Sequence, residues 1–337
     1  MIDEAGPLEP EVAWVLAAYG QRWRPKDIRP LGWAGGLSGS QFWRIEIPDD
    51  PLCLRRWPAE NPSKDQLALI HAVLGHAARQ GFRAIPTVRA TLDGGNYVDH
   101  AGHLWELTTW VRGQADLCRH PNHVKLAAAM TTLAEFHRAV SSFVPPCPMR
   151  GVSPGIVQRL AQLRNWLLGD AAKLGAAIDA RRWPELAARG QRVLQLFRRH
   201  AAGIVARLER AARLEVPIQI CIRDVWHEHV LFEGDRVTGI IDFGSLGWDN
   251  VAIDVARLLG SLTSDYGEYW GVGLAVYGRS RTLSPSELLL VQAFDRGSTL
   301  LSGLNWLDWI FRQHREFEAQ QVILVRMDHI LTRLEQL

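Results

Sequence analysis

The sequence has few cysteines, little net charge and no long apolar run, and each shortage excludes a class of protein. Its four cysteines have no C-x-x-C spacing, which predicts reduced thiols and no structural zinc. A formal net charge of +2 does not fit a dedicated nucleic-acid binder, so we expect no nucleic-acid partner. No run approaches the ~20 apolar residues of a membrane span, and the acidic N-terminus lacks a signal-peptide core. We therefore expect a cytoplasmic protein with no membrane partner, and we leave its oligomeric state open.

Lysine is also scarce, since only four of the 38 basic residues are lysines. Because arginine is in excess throughout, a single arginine carries less functional weight. We interpret the basic stretch at 181–213 as a solvated helical face. The length of 337 residues, with 47% hydrophobic and 22% charged residues, indicates an ordinary globular chain with two lobes.

Two aspartates lie eighteen positions apart in the run ICIRDVWHEHVLFEGDRVTGIIDFGSLGWD. Between Asp224 and Asp242 are two strand-like runs, 230–232 and 237–241, separated by the turn signal Glu-Gly-Asp. This pattern predicts a tight hairpin that brings both carboxylates to the same end, opposite its turn. Phosphoryl transfer needs such a pair, because one carboxylate orients the attacking hydroxyl while the other holds the ion that bridges the nucleotide phosphates.

This segment resembles the aminoglycoside phosphotransferase and choline kinase-like superfamily, relatives of the protein kinases. Asp224 stands at the aspartate of the H-x-D-x-x-x-x-N loop, and a D-F-G run begins at Asp242. The run at 247–249 and Asp254 resemble the tail of the segment, where an aspartate braces the loop from a helix. The resemblance implies that Asp224 is catalytic and that Asp242 binds the metal. It also implies ATP or GTP as the donor, Mg²⁺ or Mn²⁺ as the ion and a hydroxyl of a small molecule as the acceptor.

Two residues of the loop depart from the superfamily pattern. The expected histidine is Ile222, which we interpret as a packing change, and the expected asparagine is His229. Asparagine supplies an oxygen to Mg²⁺, whereas imidazole suits a softer metal. His229 is therefore a candidate second metal ligand. The alternatives are a hydrogen bond to a phosphate, a bond to the backbone that closes the loop, or the mark of a weakened enzyme.

The N-terminal third contains candidate nucleotide-binding residues. A glycine-rich turn between two strand-like runs includes Gly36, Ser38 and Gly39, whose amides and hydroxyl suit phosphates. The next strand, 52–57, occupies the place of the kinase V-A-I-K strand. Alternation places Cys53 and Arg55 on one face, so we expect Cys53 against the adenine and Arg55 in place of the phosphate-binding lysine. Arg56 is the alternative if the register slips by one residue.

A helix predicted over 61–81 has Asn61 or Ser63 as its cap and an apolar stripe. It lacks the glutamate that pairs with the strand lysine in kinases, and we expect that pair to be absent, with His71 or Asp65 as the alternatives. Two further strands are predicted around 84–91 and 95–98. The run 104–113 resembles a kinase hinge, which makes Glu106 to Trp110, and among them Glu106, Leu107 and Thr108, candidates for holding the nucleotide. A buried strand without a ligand is the alternative.

These patterns predict an α+β, two-lobed, protein-kinase-like fold. A small β-rich nucleotide-binding lobe would cover residues 1–107, and a larger, mainly helical, catalytic and acceptor-binding lobe would cover 108–337, with the hinge at about 106–113. The sequence predicts a small-molecule phosphotransferase. Two alternatives remain: a nucleotide-binding pseudokinase with a regulatory role, and a metal-dependent hydrolase that uses His227 and His229 from one strand face together with Asp224 and Asp242.

Overall fold

The structure is a computed structural model and describes residues 9–20, 27–32, 39–48, 50–144, 149–262, 267–315 and 320–337. Its described residues form two compact units. The first takes in residues of 1–116, 138–143 and 228–246, and the second takes in 117–137, 144–227 and 247–337. A later hairpin, within 228–246, groups with the first unit, and the lobe boundary predicted at residue 107 stays a prediction.

The first unit contains a five-stranded antiparallel sheet in the order β1-β2-β3-β5-β4. The strands are β1 Asp27–Pro30, β2 Gln41–Glu46, β3 Leu52–Arg56, β4 Val98–His100 and β5 His103–Thr109. Helix α1, Pro10–Ala17, packs on one face of this sheet. Alternate residues of β2, β3 and β5 fill the contact, including Trp43, Leu54 and Leu107. By alternation, the other face carries the polar side chains of Arg55 and Glu106 beside Phe42 and Cys53.

Helix α2, Lys64–Arg79, confirms the predicted helix and one of its two predicted caps. The Ser63 hydroxyl accepts a hydrogen bond from the Gln66 amide at 3.2 Å, which satisfies one of the unpaired N–H groups of the first turn. The predicted apolar stripe is buried and comprises Leu67, Ile70, Val73, Leu74 and Ala77.

The hairpin predicted between the two aspartates is present. Its strands are β9, Val230–Glu233, and β10, Arg236–Ile240, joined through Gly234 at φ +60°. Phe232 exchanges two main-chain hydrogen bonds of 2.9 Å with Gln114, and the Ile240 amide donates to the Ala84 carbonyl at 2.9 Å. These bonds tie the hairpin to the first unit.

The strand predicted at 84–91 is wrong, because the structure has only a single bridge there, between Val88 and Thr108. Pro86 lies in the middle of the run and has no N–H to donate to a ladder, which explains the break. The strand predicted at 95–98 begins instead at Val98.

The second unit is mainly helical. Its helices are α3 His123–Val140, whose last residues group with the first unit, α4 Pro154–Asn165, α5 Ala171–Ala177, α6 Pro184–Ala211, α7 Ala252–Leu262, α8 Glu268–Ser280, α9 Pro285–Phe311 and α10 Gln320–Glu335. Short strand pairs join β6 Arg150–Gly151 to β7 Val216–Pro217, and β8 Gln219–Cys221 to β11 Gly247–Asp249. Among the described residues, no helix is both long and apolar enough to cross a membrane.

Candidate active site

Arg55 lies on the polar face of β3 and is clamped there by aromatic rings and a hydroxyl. Its Nε and Nη2 donate to the Ser40 Oγ at 3.2 and 3.1 Å. Its guanidinium carbon lies 3.2 Å from the ring centroid of Trp57 and 5.0 Å from that of Phe42. Cation–π contact with these rings helps to hold the guanidinium in place. With 7% exposure, Arg55 is thus held in one orientation.

The two alternative registers of this strand are resolved by the partners of the two arginines. Arg55 donates through Nη1 to the Asp242 Oδ1 at 3.3 Å. Arg56 points to the opposite face, where it pairs with Glu11 of α1 at 3.3 Å. Arg55 is therefore the arginine that shares a face with the candidate metal ligand.

Asp242 follows β10 in a left-handed conformation, with φ +61°, which few non-glycine residues adopt. Its Oδ1 accepts from Arg55 and from the Gly244 amide at 3.4 Å, and its Oδ2 lies 3.7 Å from the His229 Nε2. Burial by itself raises the pKa of Asp242, but Arg55, His229 and the Gly244 amide outweigh burial, so the pKa lies below its usual range. The carboxylate is ionised at neutral pH.

The Asp242 and His229 pair fits a divalent ion. Two atoms that each bind one ion at about 2.1 Å can be at most about 4.2 Å apart, and their separation of 3.7 Å meets this limit. Carboxylate oxygen suits Mg²⁺ or Mn²⁺, while the imidazole nitrogen shifts the preference toward softer ions. The role of both residues as ligands stays a prediction.

Gly244, the last residue of the D-F-G run, has little room for a side chain. A Cβ there would lie 3.2 Å from a ring carbon of Trp57 and 3.3 Å from the Asp242 Oδ1. The glycine therefore lets the chain pass close to the same ring that holds Arg55.

The residues of β3 and β5 that were predicted to hold the nucleotide differ from one another in their contacts and burial. Cys53 pairs with Thr108 across β3 and β5, and burial, with the charge of Glu106, raises its pKa to about 12, so it is a neutral thiol. The Glu106 carboxylate contacts the His71 Nε2 of α2 at 2.6 Å. Leu107 is 0% exposed in the cluster with α1, and its carbonyl accepts from the Arg89 amide at 2.8 Å. Its burial disfavours contact with a ligand.

The contact of Glu106 with His71 also explains the missing glutamate of α2. Within the described residues Arg55 has no ion pair with that helix, and the buried carboxylate comes from β5 instead. In the glycine-rich turn, Gly36 and Ser38 lie outside the described residues. Gly39 has φ +73°, a conformation that favours glycine.

Asp224 lies in the second unit, on a loop whose main-chain amides are hydrogen-bonded to a side chain of α7. Asp254 of α7 is 0% exposed and accepts from the amides of Ile222 at 2.7 Å and Arg223 at 2.6 Å. Arg223 has φ +70°, so the loop turns sharply just before Asp224. The bracing role predicted for Asp254 is confirmed, and Ile222, also 0% exposed, is a core residue as predicted.

Asp254 belongs to a buried polar group with His137, Tyr277 and Cys221. The His137 Nε2 lies 2.9 Å from the Asp254 Oδ2, and its Nδ1 lies 2.8 Å from the Tyr277 hydroxyl. Burial lowers the pKa of His137, so the ring is neutral and donates from Nε2 to the carboxylate. His137, Cys221 and Asp254 have the residue types of a metal site, but the hydrogen bonds of Asp254 to His137 and to the loop amides indicate a bracing role.

The arrangement predicted for a metal-dependent hydrolase is wrong in one respect. Residues His227–His229 form a 3₁₀ turn instead of a strand. With three residues per turn, side chains two positions apart point about 120° away from each other, so His227 and His229 do not share a face. The predicted approach of Asp224 to Asp242 stays a prediction, since they lie in different units.

The sheet, the helical unit and the braced aspartate loop define a kinase-like small-molecule phosphotransferase. The model of the Phosphotransferase enzyme family matches residues 27–287, and the chain belongs to that family. Among curated relatives, the homoserine kinase of Methylocella silvestris is 24% identical over 87% of this chain and 85% of its own length. That of a Bradyrhizobium strain is 25% identical over 73% of this chain and 69% of its own.

Solved structures share the fold. An amicoumacin kinase in complex with AMP-PNP, Ca²⁺ and Ami has a TM-score of 0.63 and 15% identity, covering 96% of this chain and 93% of that one. A microcompartment-associated aminopropanol kinase has a TM-score of 0.60 and 17% identity, covering 91% and 90%. An aminoglycoside phosphotransferase from Alicyclobacillus acidocaldarius has a TM-score of 0.59 and 20% identity, covering 98% and 94%. These structures confirm the predicted fold class.

Sequence reasoning missed several residues of the site. Trp57 directly follows β3, two positions after Arg55, so the alternation of side chains along an extended chain predicts that both point to the same side. Ser40 and Phe42 reach Arg55 through the pairing of β2 with β3, for which the sequence gives no direct register. Arg257, which contacts Asp224, lies three residues after Asp254 and so shares its helix face.

Proposed function

We propose that this protein transfers the terminal phosphate of ATP or GTP to a hydroxyl of a small molecule, with Mg²⁺ as the bridging ion and Mn²⁺ as a substitute. The observation that carries the proposal is the ionised Asp242 carboxylate between the Arg55 guanidinium and the His229 imidazole. In this role Asp242 and His229 hold the ion, and Arg55, from its aromatic clamp, neutralises phosphate oxygens. Cationic side chains and metal ions of this kind stabilise the negative charge of the phosphoryl group in the transition state of its transfer.

Asp224 would orient the acceptor hydroxyl and take its proton. Half of its side chain is exposed, so an acceptor can reach the carboxylate, while Asp254 holds the main chain just before it. Positioning of this kind supplies much of the rate enhancement in phosphoryl transfer, because the protein does little covalent chemistry.

The acceptors to test first are hydroxy amino acids and amino alcohols. Curated relatives that cover most of this chain are homoserine kinases, and one solved structure with the same fold is an aminopropanol kinase. Aminoglycosides form the third group, because that class of phosphotransferase also shares the fold.

The test is an acceptor panel with ATP or GTP and with Mg²⁺ or Mn²⁺, scored by ADP or GDP release and by the mass of the phosphorylated product. We expect Asp224→Asn to lower kcat by about 10²- to 10⁴-fold while nucleotide binding remains. Asp235→Asn, in the exposed hairpin turn, is the matched control. Nucleotide binding without turnover of any acceptor would favour the pseudokinase, and stoichiometric zinc would favour the hydrolase.

A further inference from the structure

Helix α7 presents an arginine to the candidate catalytic aspartate. Asp254 and Arg257 are three residues apart and therefore lie on one face of the helix. While Asp254 holds the main chain of the loop, the Arg257 Nε donates to the Asp224 Oδ1 at 2.8 Å. The Arg257 side chain is 33% exposed, so this contact lies where a small molecule can reach it.

Arg257 uses one nitrogen of three in this contact. Within the part of the chain that the structure describes, its two Nη nitrogens make no hydrogen bond. Its guanidinium carbon lies 5.6 Å from the ring centroid of Trp226, which helps to orient it. A guanidinium end with two N–H groups side by side matches the two oxygens of a carboxylate.

Arginines and acids of the second unit act on one another around Asp224. Arg223 lies 3.9 Å from Asp249. Burial lowers the pKa of Arg159 to about 10; the charges of Arg223 and Arg257 act in the same direction, and those of Asp249 and Asp224 oppose them. Asp249 is 0% exposed and accepts hydrogen bonds from Ser153 and Gly155, so its side chain lies out of a ligand's reach. The exposed end of Arg257 therefore presents a cation beside the acceptor-orienting carboxylate.

We propose that Arg257 determines acceptor specificity by binding a carboxylate of the molecule whose hydroxyl Asp224 orients. This rests on the proposed phosphotransferase function and narrows the acceptor to a hydroxy acid. A polycationic acceptor would meet a like charge at this position, whereas a hydroxy acid completes an arginine–carboxylate pair.

The experiment compares acceptors that differ only in the carboxylate. Homoserine and 3-aminopropan-1-ol share a primary hydroxyl and an amine, and serine and ethanolamine form a second such pair. We expect wild type to prefer the carboxylate member by about ten- to a hundredfold in kcat/KM, and Arg257→Gln to remove the preference mainly through KM. Arg257→Lys keeps part of it. Arg164→Gln, which removes an exposed arginine–glutamate pair of the same unit, leaves it unchanged.

Thermal shift with each acceptor and no nucleotide gives a second readout. If the carboxylate members stabilise wild type but not Arg257→Gln, the result supports the inference. This holds even if no phosphate is transferred, because a lack of transfer counts only against the proposed function. The inference is overturned if the members without a carboxylate are preferred or if no carboxylate member stabilises the protein. It is also overturned if Arg257→Gln lowers kcat equally for both members of a pair, which would place Arg257 on the transferred phosphate.

Discussion

Removing the charge of Arg55 should raise the pKa of Asp242. The ion pair between them spans 3.3 Å, which corresponds to about 1.3 kcal/mol in water and about 5 kcal/mol at the dielectric constant typical near a protein surface. Because 38% of the Asp242 side chain is exposed, solvent screening brings the effective value to about 2 kcal/mol. Arg55→Gln should therefore shift the pKa of Asp242 upward by about one to two pH units.

The sign follows from the folded-state pKa, which lies below the ordinary range of aspartate. Ionised Asp242 stabilises the fold at neutral pH, and this contribution is lost as the pH falls through the lowered pKa. In Arg55→Gln the positive charge of Arg55 no longer offsets the burial of Asp242, so the pKa of Asp242 is higher. Its contribution to the stability of the fold is therefore lost at a higher pH.

Arg56→Gln provides the matched control. This neighbour forms an ion pair of the same length, with Glu11, on the opposite face of the sheet. The assay is an NMR titration of selectively labelled aspartate carboxyl carbons, supported by the acid limb of kcat/KM once an acceptor is known. The reasoning is refuted if the Asp242 titration is unchanged in Arg55→Gln, or if Arg56→Gln moves it as far.

Three further substitutions test other parts of the site. Asp254→Asn replaces a buried acceptor of three hydrogen bonds by a group that also donates, so we expect a loss of about 2–4 kcal/mol in the free energy of unfolding, measured with urea. Gly39→Ala forces a side chain to φ +73°, which costs about 1–2 kcal/mol and should weaken nucleotide binding, measured by calorimetry. His229→Asn replaces an imidazole by an oxygen ligand, so we expect the ratio of activity with Mg²⁺ to activity with Mn²⁺ to rise.

Each of these has its own contradicting result. If Asp254→Asn leaves the free energy of unfolding in urea unchanged, the loop before Asp224 does not depend on the hydrogen bonds to Asp254. The control for Gly39→Ala is Gly271→Ala, at an open helical position where an added Cβ meets nothing within 4 Å. Equal effects of the two substitutions on nucleotide binding would argue against a role of the turn at Gly39 in binding the nucleotide. A metal preference unaffected by His229→Asn would exclude this imidazole as a ligand.

The local features were predictable because they depend on neighbours along the chain. Side chains alternate across a strand, so the shared face of Cys53 and Arg55 follows from their positions alone. The Ser63 cap and the hairpin turn at Gly234 likewise depend on a few adjacent residues. The strand predicted at 84–91 fails for the same kind of reason, since Pro86 removes a donor that the pattern of apolar residues does not show.

The sequence by itself determined the faces, caps and turns that carry Arg55, Asp224 and Asp242, because backbone geometry makes these local properties. Only the tertiary structure decided the partners. Arg55 meets a carboxylate 187 positions away, and Glu106 meets His71 across 35 positions. Such pairs depend on how β3, β5, α2 and the hairpin pack in the first unit, and no short-range pattern encodes that packing. The same holds for Arg257, which reaches Asp224 only because α7 packs beneath the loop it braces.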